Sequence, residues 1–171
     1  MAAHRTTKIS GIDVPILGDE IRVGQNAPEF TGTAQDWSRV RALESSKGTV
    51  RVLAAVPSLE TSVCDRETRR FNVEAANLSG DVRIFVISAD LPYTQKRWCG
   101  AAGVDRVITL SDHMEAEFGK KYGCLIQERR VLSRAVFVVG RDDKVVYSAY
   151  MPMLGDEPDY EAVLTAVRNA L

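Results

Sequence analysis

The sequence predicts an α/β fold, and three observations predict it. Short β-rich runs alternate with amphipathic helical patterns along most of the 171 residues. Two of those runs, 50–56 and 82–88, are apolar enough to be buried on both faces and bracket a helical pattern at 63–78, which makes a parallel βαβ unit. The chain then closes with a hairpin and a helix. No low-complexity linker or internal repeat interrupts this order, so residues 1–171 are expected to form one domain. That length is ample to bury a core without disulfides or metal.

The elements follow in order. Segments 7–12 and 15–23, split by the turn chemistry of Asp13 and Gly18, predict an N-terminal β-hairpin, an appendage over residues 1–24. Gly24-Gln25-Asn26-Ala27-Pro28 is loop composition. Val-Arg-Val-Leu-Ala-Ala-Val at 50–56 and Val-Arg-Ile-Phe-Val-Ile-Ser at 82–88 are the buried strands. A helix is expected over 93–101, a short strand over 106–110, and a helix that Ser111 or Asp112 caps and Gly123 closes. Runs at 134–139 and 144–150 flank Gly140-Arg141-Asp142-Asp143, a hairpin signal, and 156–171 is a terminal helix introduced by Pro158. A βαβ unit followed by a hairpin and a helix is the order of a thioredoxin-like fold, with 93–110 as a helix-strand insertion in the crossover.

Composition excludes several classes of partner. Lys and Arg number 22 and Asp and Glu 23, a net charge of -1, which leaves no electrostatic footprint for nucleic acid or an anionic membrane. No stretch reaches the roughly 18 apolar residues of a membrane span. The opening, Met1-Ala2-Ala3-His4-Arg5-Thr6-Thr7-Lys8, has no apolar signal core, so a cytoplasmic protein is expected. Three cysteines without a C-x-x-C pair suggest redox or nucleophilic chemistry rather than zinc or a disulfide scaffold. His4 and His113 lack spaced ligand partners, are expected to be solvated, and make no metal site; no cofactor is expected.

Thr61 and Cys64 stand where the run 50–56 ends and a helical pattern begins. In the first turn of a helix, unpaired N–H groups and the positive end of the macrodipole favour an anion, so a thiol placed there is held nearer its nucleophilic thiolate form. Each residue also has a plainer reading: a lone cysteine is often a small buried hydrophobe, Thr61 an ordinary cap, Arg134 an edge-of-sheet charge.

The octapeptide Pro57-Ser58-Leu59-Glu60-Thr61-Ser62-Val63-Cys64 matches P-S-x-[DE]-T-x-x-C throughout. Ser88-Ala89-Asp90-Leu91-Pro92-Tyr93 with Arg97-Trp98-Cys99-Gly100, then Val107 to Ser111, Arg134-Ala135-Val136-Phe137-Val138 and Glu157-Pro158-Asp159-Tyr160, continue one pattern. On these motifs the chain resembles the thiol peroxidases, a branch of the atypical two-cysteine peroxiredoxins. The likeness covers nearly the whole chain and is weakest over residues 1–36.

The resemblance implies a thioredoxin-like fold of peroxiredoxin type and a thiol-dependent peroxidase acting on hydrogen peroxide and organic hydroperoxides. Cys64 would be the peroxidatic cysteine, becoming a sulfenic acid, and Cys99 the resolving cysteine, closing an intrachain disulfide that thioredoxin reduces. Thr61 would offer a hydroxyl to sulfur or peroxide, Pro57 would shield the pocket, and Arg134 would supply a fixed forked charge, with Glu60 orienting it. A homodimer is implied as well. Cys124 matches no motif position and is expected to be a packed thiol. Trp98, Tyr93, Phe30 and Trp37 are either core filler or an apolar rim favouring bulky peroxides. An alternative function is a peroxide sensor or relay that turns over slowly; steady turnover with thioredoxin separates the two.

Overall fold

A computed structural model describes residues 5–171. His4, expected to be solvated, lies outside the described residues. In chain order the elements are β1 (Arg5–Ile9), β2 (Ile12–Leu17), β3 (Thr31–Thr33), β4 (Arg39–Arg41), α1 (Ala42–Ser45), β5 (Val50–Ala55), α2 (Ser62–Asn77), β6 (Val82–Ser88) and α3 (Pro92–Ala102). There follow β7 (Ile108–Ser111), α4 (Glu117–Lys121), β8 (Leu125–Ile126), β9 (Val131–Leu132), β10 (Ala135–Val139), β11 (Val145–Tyr150) and α5 (Tyr160–Ala170).

The central sheet has seven strands in the order β11-β10-β5-β6-β7-β3-β4. β5, β6 and β7 are parallel, while β10 runs antiparallel to β5 and β11 to β10. Side chains alternate between the two faces with the period of a strand. Val50, Val52, Ala54, Ile84, Val86, Val136 and Val138 join α2, α3 and α5 on one face. Leu53, Ala55, Phe85, Ile87, Phe137 and Val139 join α1, α4 and Phe30 on the other. Both faces being covered explains why these runs read as continuously apolar.

Several features differ from the sequence expectation. The helix expected to be capped by Ser111 or Asp112 is only the short α4, whose cap position is Ala116, while Ser111 ends β7. The N-terminal hairpin turns at Ser10 and Gly11, both at positive φ (50° and 81°), rather than at Asp13, which pairs across the turn with Lys8. Its second strand ends at Leu17 and pairs with β8, so β1, β2, β8 and β9 make a small second sheet around Val14, Ile16 and Ile126. The expected helix-strand insertion is α3-β7, which adds a strand beside β6 at the side away from β5 and extends the sheet.

β5 delivers the chain directly into α2, and the sheet register brings Arg134 to the same place. Ala135 lies opposite Ala55, so the residue preceding β10 falls at the carboxyl end of β5. Clefts beyond the carboxyl ends of parallel strands are where α/β sheets put their ligands. Among the described residues, no helix is long and apolar enough to cross a membrane.

Candidate active site

Thr61 caps α2 with extended backbone angles (φ −85°, ψ 146°). Its Oγ1 accepts from the Cys64 N–H at 3.3 Å and donates to the Ser58 carbonyl at 3.1 Å. The cap satisfies one of the free donors of the first turn and sets Cys64 at the third helical position, inside the field of the helix N-terminus. Cys64 is fully buried and all three cysteines are free thiols.

Arg134 donates from Nη2 to Cys64 Sγ at 3.3 Å. Three further donor contacts fix it: Nη1 pairs with Glu67 Oε2, and Nε and Nη2 donate to the Leu154 carbonyl at 3.2 and 3.1 Å. The fork is therefore fixed in direction, with one edge reserved for sulfur. Burial disfavours the guanidinium charge, but Glu67 and the Cys64 sulfur outweigh it and hold Arg134 above its ordinary range. Burial pushes Glu67 up to about 7, against the pull of Arg134, and its Oε1 has no hydrogen-bond partner.

The orienting carboxylate is thus Glu67, not Glu60. Glu60 sits at an exposed position and pairs with Arg97 of α3. Sequence reasoning missed Glu67, although its spacing from Cys64 held the signal: a residue three positions on shares the helix face, and an acidic residue on a buried face needs a cation.

Pro57, Thr61, Val63 and Arg134 line a cavity of about 560 Å³ beside Cys64. Its far wall comes from the β1–β2 turn (Lys8, Ile9, Ser10, Gly11) and from Met153, Leu154, Gly155 and Asp156. The hairpin is held there by backbone bonds, Lys8 N–H to the Pro152 carbonyl at 3.2 Å and Leu154 N–H to the Lys8 carbonyl at 3.1 Å. None of the four aromatic residues read as either core filler or rim lines this cavity. Phe30 and Trp98 are buried in the core, whereas Trp37 and Tyr93 are exposed, their rings tilted against each other with centroids 5.0 Å apart on another part of the surface. Ile9, Val63, Met153 and Leu154 provide the apolar wall instead.

Cys99 lies on α3, nearly buried, and opens to a separate groove with Gln35, Lys96 and Thr109 that shares no residue with the first cavity. Burial raises its thiol pKa, opposed by hydrogen bonds from Thr109 and Gln35. Trp98 Nε1 donates to Asp65 at 3.2 Å and Arg69 donates to the Ala102 carbonyl at 3.3 Å, so α2 and α3 are laced together. Cys124 packs with Phe118, Tyr122 and Phe137 on the other face of the sheet, its thiol donating to the Tyr122 carbonyl at 3.3 Å. His113, expected to be solvated, is half-buried, bonded to Ser111 at 2.8 Å and edge-on to Trp37.

Comparison with known proteins shows the family and the fold. A family model described as Redoxin matches residues 22–164. A thiol peroxidase of Oceanobacillus iheyensis is 55% identical over 152 residues, covering 89% of this chain and 92% of that protein. A thiol peroxidase of Bacillus subtilis is 46% identical over 158 residues, covering 92% and 93%. Among solved structures, a peroxiredoxin-like protein from Aquifex aeolicus superposes with a TM-score of 0.89 at 35% identity, covering 98% of each chain. A thiol peroxidase from Chromobacterium violaceum shares the fold, with a TM-score of 0.83 at 24% identity over 96% of this chain and 95% of that one.

Proposed function

From the premise that the chain belongs to the redoxin family, in its thiol peroxidase branch, we propose that it reduces hydroperoxides at Cys64 and passes the oxidation to Cys99. The observation that carries this reading is the buried Arg134 guanidinium, which Glu67 and the Leu154 carbonyl hold so that Nη2 meets a sulfur in the first turn of a helix.

The Cys64 thiolate attacks one peroxide oxygen: an S–O bond forms as the O–O bond breaks, and the departing alkoxide takes up a proton to leave as alcohol. Arg134 faces the sulfur that loses charge and the oxygen that gains it, a preorganised donor at a buried position. Thr61 keeps the thiol in the helix field and lines the entry, while Pro57 screens it. The apolar wall of Ile9, Val63, Met153 and Leu154 supports organic hydroperoxides as substrates besides hydrogen peroxide.

The Cys99 thiolate then attacks the sulfenic sulfur, a disulfide forms and water leaves. Because Cys64 is fully buried beside one cavity and Cys99 opens to a separate groove, the start of α2 or the body of α3 unwinds locally in each cycle. Thioredoxin reduces the bridge by dithiol exchange in a reducing compartment such as the cytoplasm, and the working unit is a homodimer.

The test is the intact mass after one equivalent of cumene hydroperoxide, on the unaltered protein, Cys64→Ser and Cys99→Ser, followed by turnover with thioredoxin and its reductase. The unaltered protein is expected to lose two hydrogens in a Cys64–Cys99 bridge, Cys99→Ser to hold a trappable sulfenic acid, and Cys64→Ser to stay unchanged. Peroxide consumption by Cys64→Ser, or a bridge to Cys124, overturns the assignment. Rapid sulfenate formation without turnover marks a sensor instead.

A further inference from the structure

Asp90, a half-buried residue just past the end of β6, ties the loop that carries Pro57 and Thr61 to the helix that carries Cys99. Its Oδ1 accepts from Ser58 Oγ at 2.7 Å, and its Oδ2 accepts from the Leu59 N–H at 2.8 Å and from Ser88 Oγ at 2.7 Å. Its own carbonyl accepts from Ser111 Oγ at 2.5 Å, which fixes it to the neighbouring strand. On the other side, Ser88 Oγ accepts from Nε2 of Gln95, a fully buried residue one helical turn before Cys99. One carboxylate therefore joins the 57–61 loop, the sheet and α3 in a continuous network. Three donors converging on two acceptor oxygens leave little freedom.

We infer that Asp90 is a positioning residue for both half-reactions: it holds the Cys64 loop closed for peroxide attack and, by the same bonds, restrains the opening through which Cys64 reaches Cys99. This rests on the reading of Cys99 as the resolving cysteine. The two roles pull in opposite directions. A closed loop keeps the Cys64 thiol beside Arg134, but it also lengthens the life of the sulfenic acid. A long-lived sulfenic acid meets a second peroxide, which inserts one oxygen to give the sulfinic acid and leaves as alcohol. Asp90 thus sets the partition between disulfide formation and irreversible oxidation.

The experiment measures two rates separately by stopped-flow fluorescence with cumene hydroperoxide. Cys64 oxidation is followed in the Cys99→Ser background, and disulfide closure in the protein with all cysteines, each with Asp90 intact, with Asp90→Asn and with Ser58→Ala. An asparagine side chain is nearly isosteric but presents one acceptor oxygen where the carboxylate presents two, so the loop loses an anchor. Asp90→Asn is expected to slow Cys64 oxidation by about tenfold and to speed disulfide closure by about three- to tenfold, the range that the net loss of one ordinary hydrogen bond implies. The sulfinic yield at excess peroxide, read by mass, falls with it. Ser58→Ala, which removes one strut and leaves the carboxylate, moves both rates the same way by less, and it carries the test if Asp90→Asn fails to fold.

A purely structural role would lower both rates together, along with the urea midpoint; that outcome, or two unchanged rates in a protein that forms the bridge, overturns the inference. Absence of a Cys64–Cys99 bridge with Asp90 intact defeats the resolving-cysteine reading, and the inference with it.

Discussion

Cys64 and Cys124 are equally buried, yet their surroundings are opposites. Cys64 sits in the first turn of a helix, three positions from its cap, with a guanidinium on its sulfur. Cys124 sits among Phe118, Tyr122 and Phe137, and burial pushes its thiol up to about 12 against the pull of Arg5. Removal from water makes a thiolate expensive at Cys124. What separates a nucleophile from a packing residue is whether the same burial also brings in a fixed opposite charge and a helix end. At Cys64 the fold supplies both, and a second buried group, Glu67, balances the arginine.

The largest test of this contrast makes the Cys64 pocket resemble the Cys124 pocket. Arg134→Met keeps the stem and deletes the charge, and the rate constant for Cys64 oxidation is expected to drop by about 10²- to 10³-fold, as for loss of one preorganised donor. Arg134→Lys should fall in between, because an ammonium cannot span sulfur, Glu67 and the Leu154 carbonyl at once. A loss under tenfold in Arg134→Met would remove the guanidinium from its central place.

A medium effect concerns pH. The Glu67 carboxyl has an ordinary value of 4.5 and is raised by burial to about 7 in the fold, so between those pH values the folded state binds the extra proton. The stability it contributes is fully present below 4.5 and is lost as pH rises through 7. Asp112, raised by burial from 3.8 to about 6, acts in the same direction over a lower window. Urea unfolding across that range should show a stability that declines with pH, and Glu67→Gln should flatten the upper part of the slope while leaving the part due to Asp112. A slope of unaltered steepness in Glu67→Gln contradicts the assignment.

The smallest effect is at the other cysteine. Cys124→Ala leaves a small void beside the aromatic cluster and is expected to cost about 1–2 kcal/mol of stability without changing the rate of Cys64 oxidation. Faster sulfinic oxidation or impaired turnover in this variant would give Cys124 a chemical role that its surroundings do not suggest.

Much of the core was legible because its signals are local. Both-face burial marked β5 and β6, and the cap at Thr61 marked the start of α2. The small second sheet was not legible. β8 and β9 are two residues each, and what makes them strands is a partner from β2 more than a hundred positions away. Glu60 and Glu67 show the same limit inside the site. Both are acidic and near Cys64 in sequence, and only the helix face and the register of β10 decide that Glu67 meets Arg134 while Glu60 meets Arg97.

By itself the sequence determined the alternation of strands and helices, the placement of Cys64 at a helix start, and the octapeptide that identifies its family resemblance, because each depends on neighbours along the chain. Only the tertiary structure decided that Arg134 points at the Cys64 sulfur, that the β1–β2 turn and residues 153–156 wall the cavity, and that Cys99 opens into a different groove. It also buried Arg51 in a strand that reads as apolar, where Ser46, Leu43 and Gly140 satisfy its donors. These depend on which distant side chains converge once both faces of the sheet are covered, and the cost of burying a charge is met only by partners that the folded backbone brings to it.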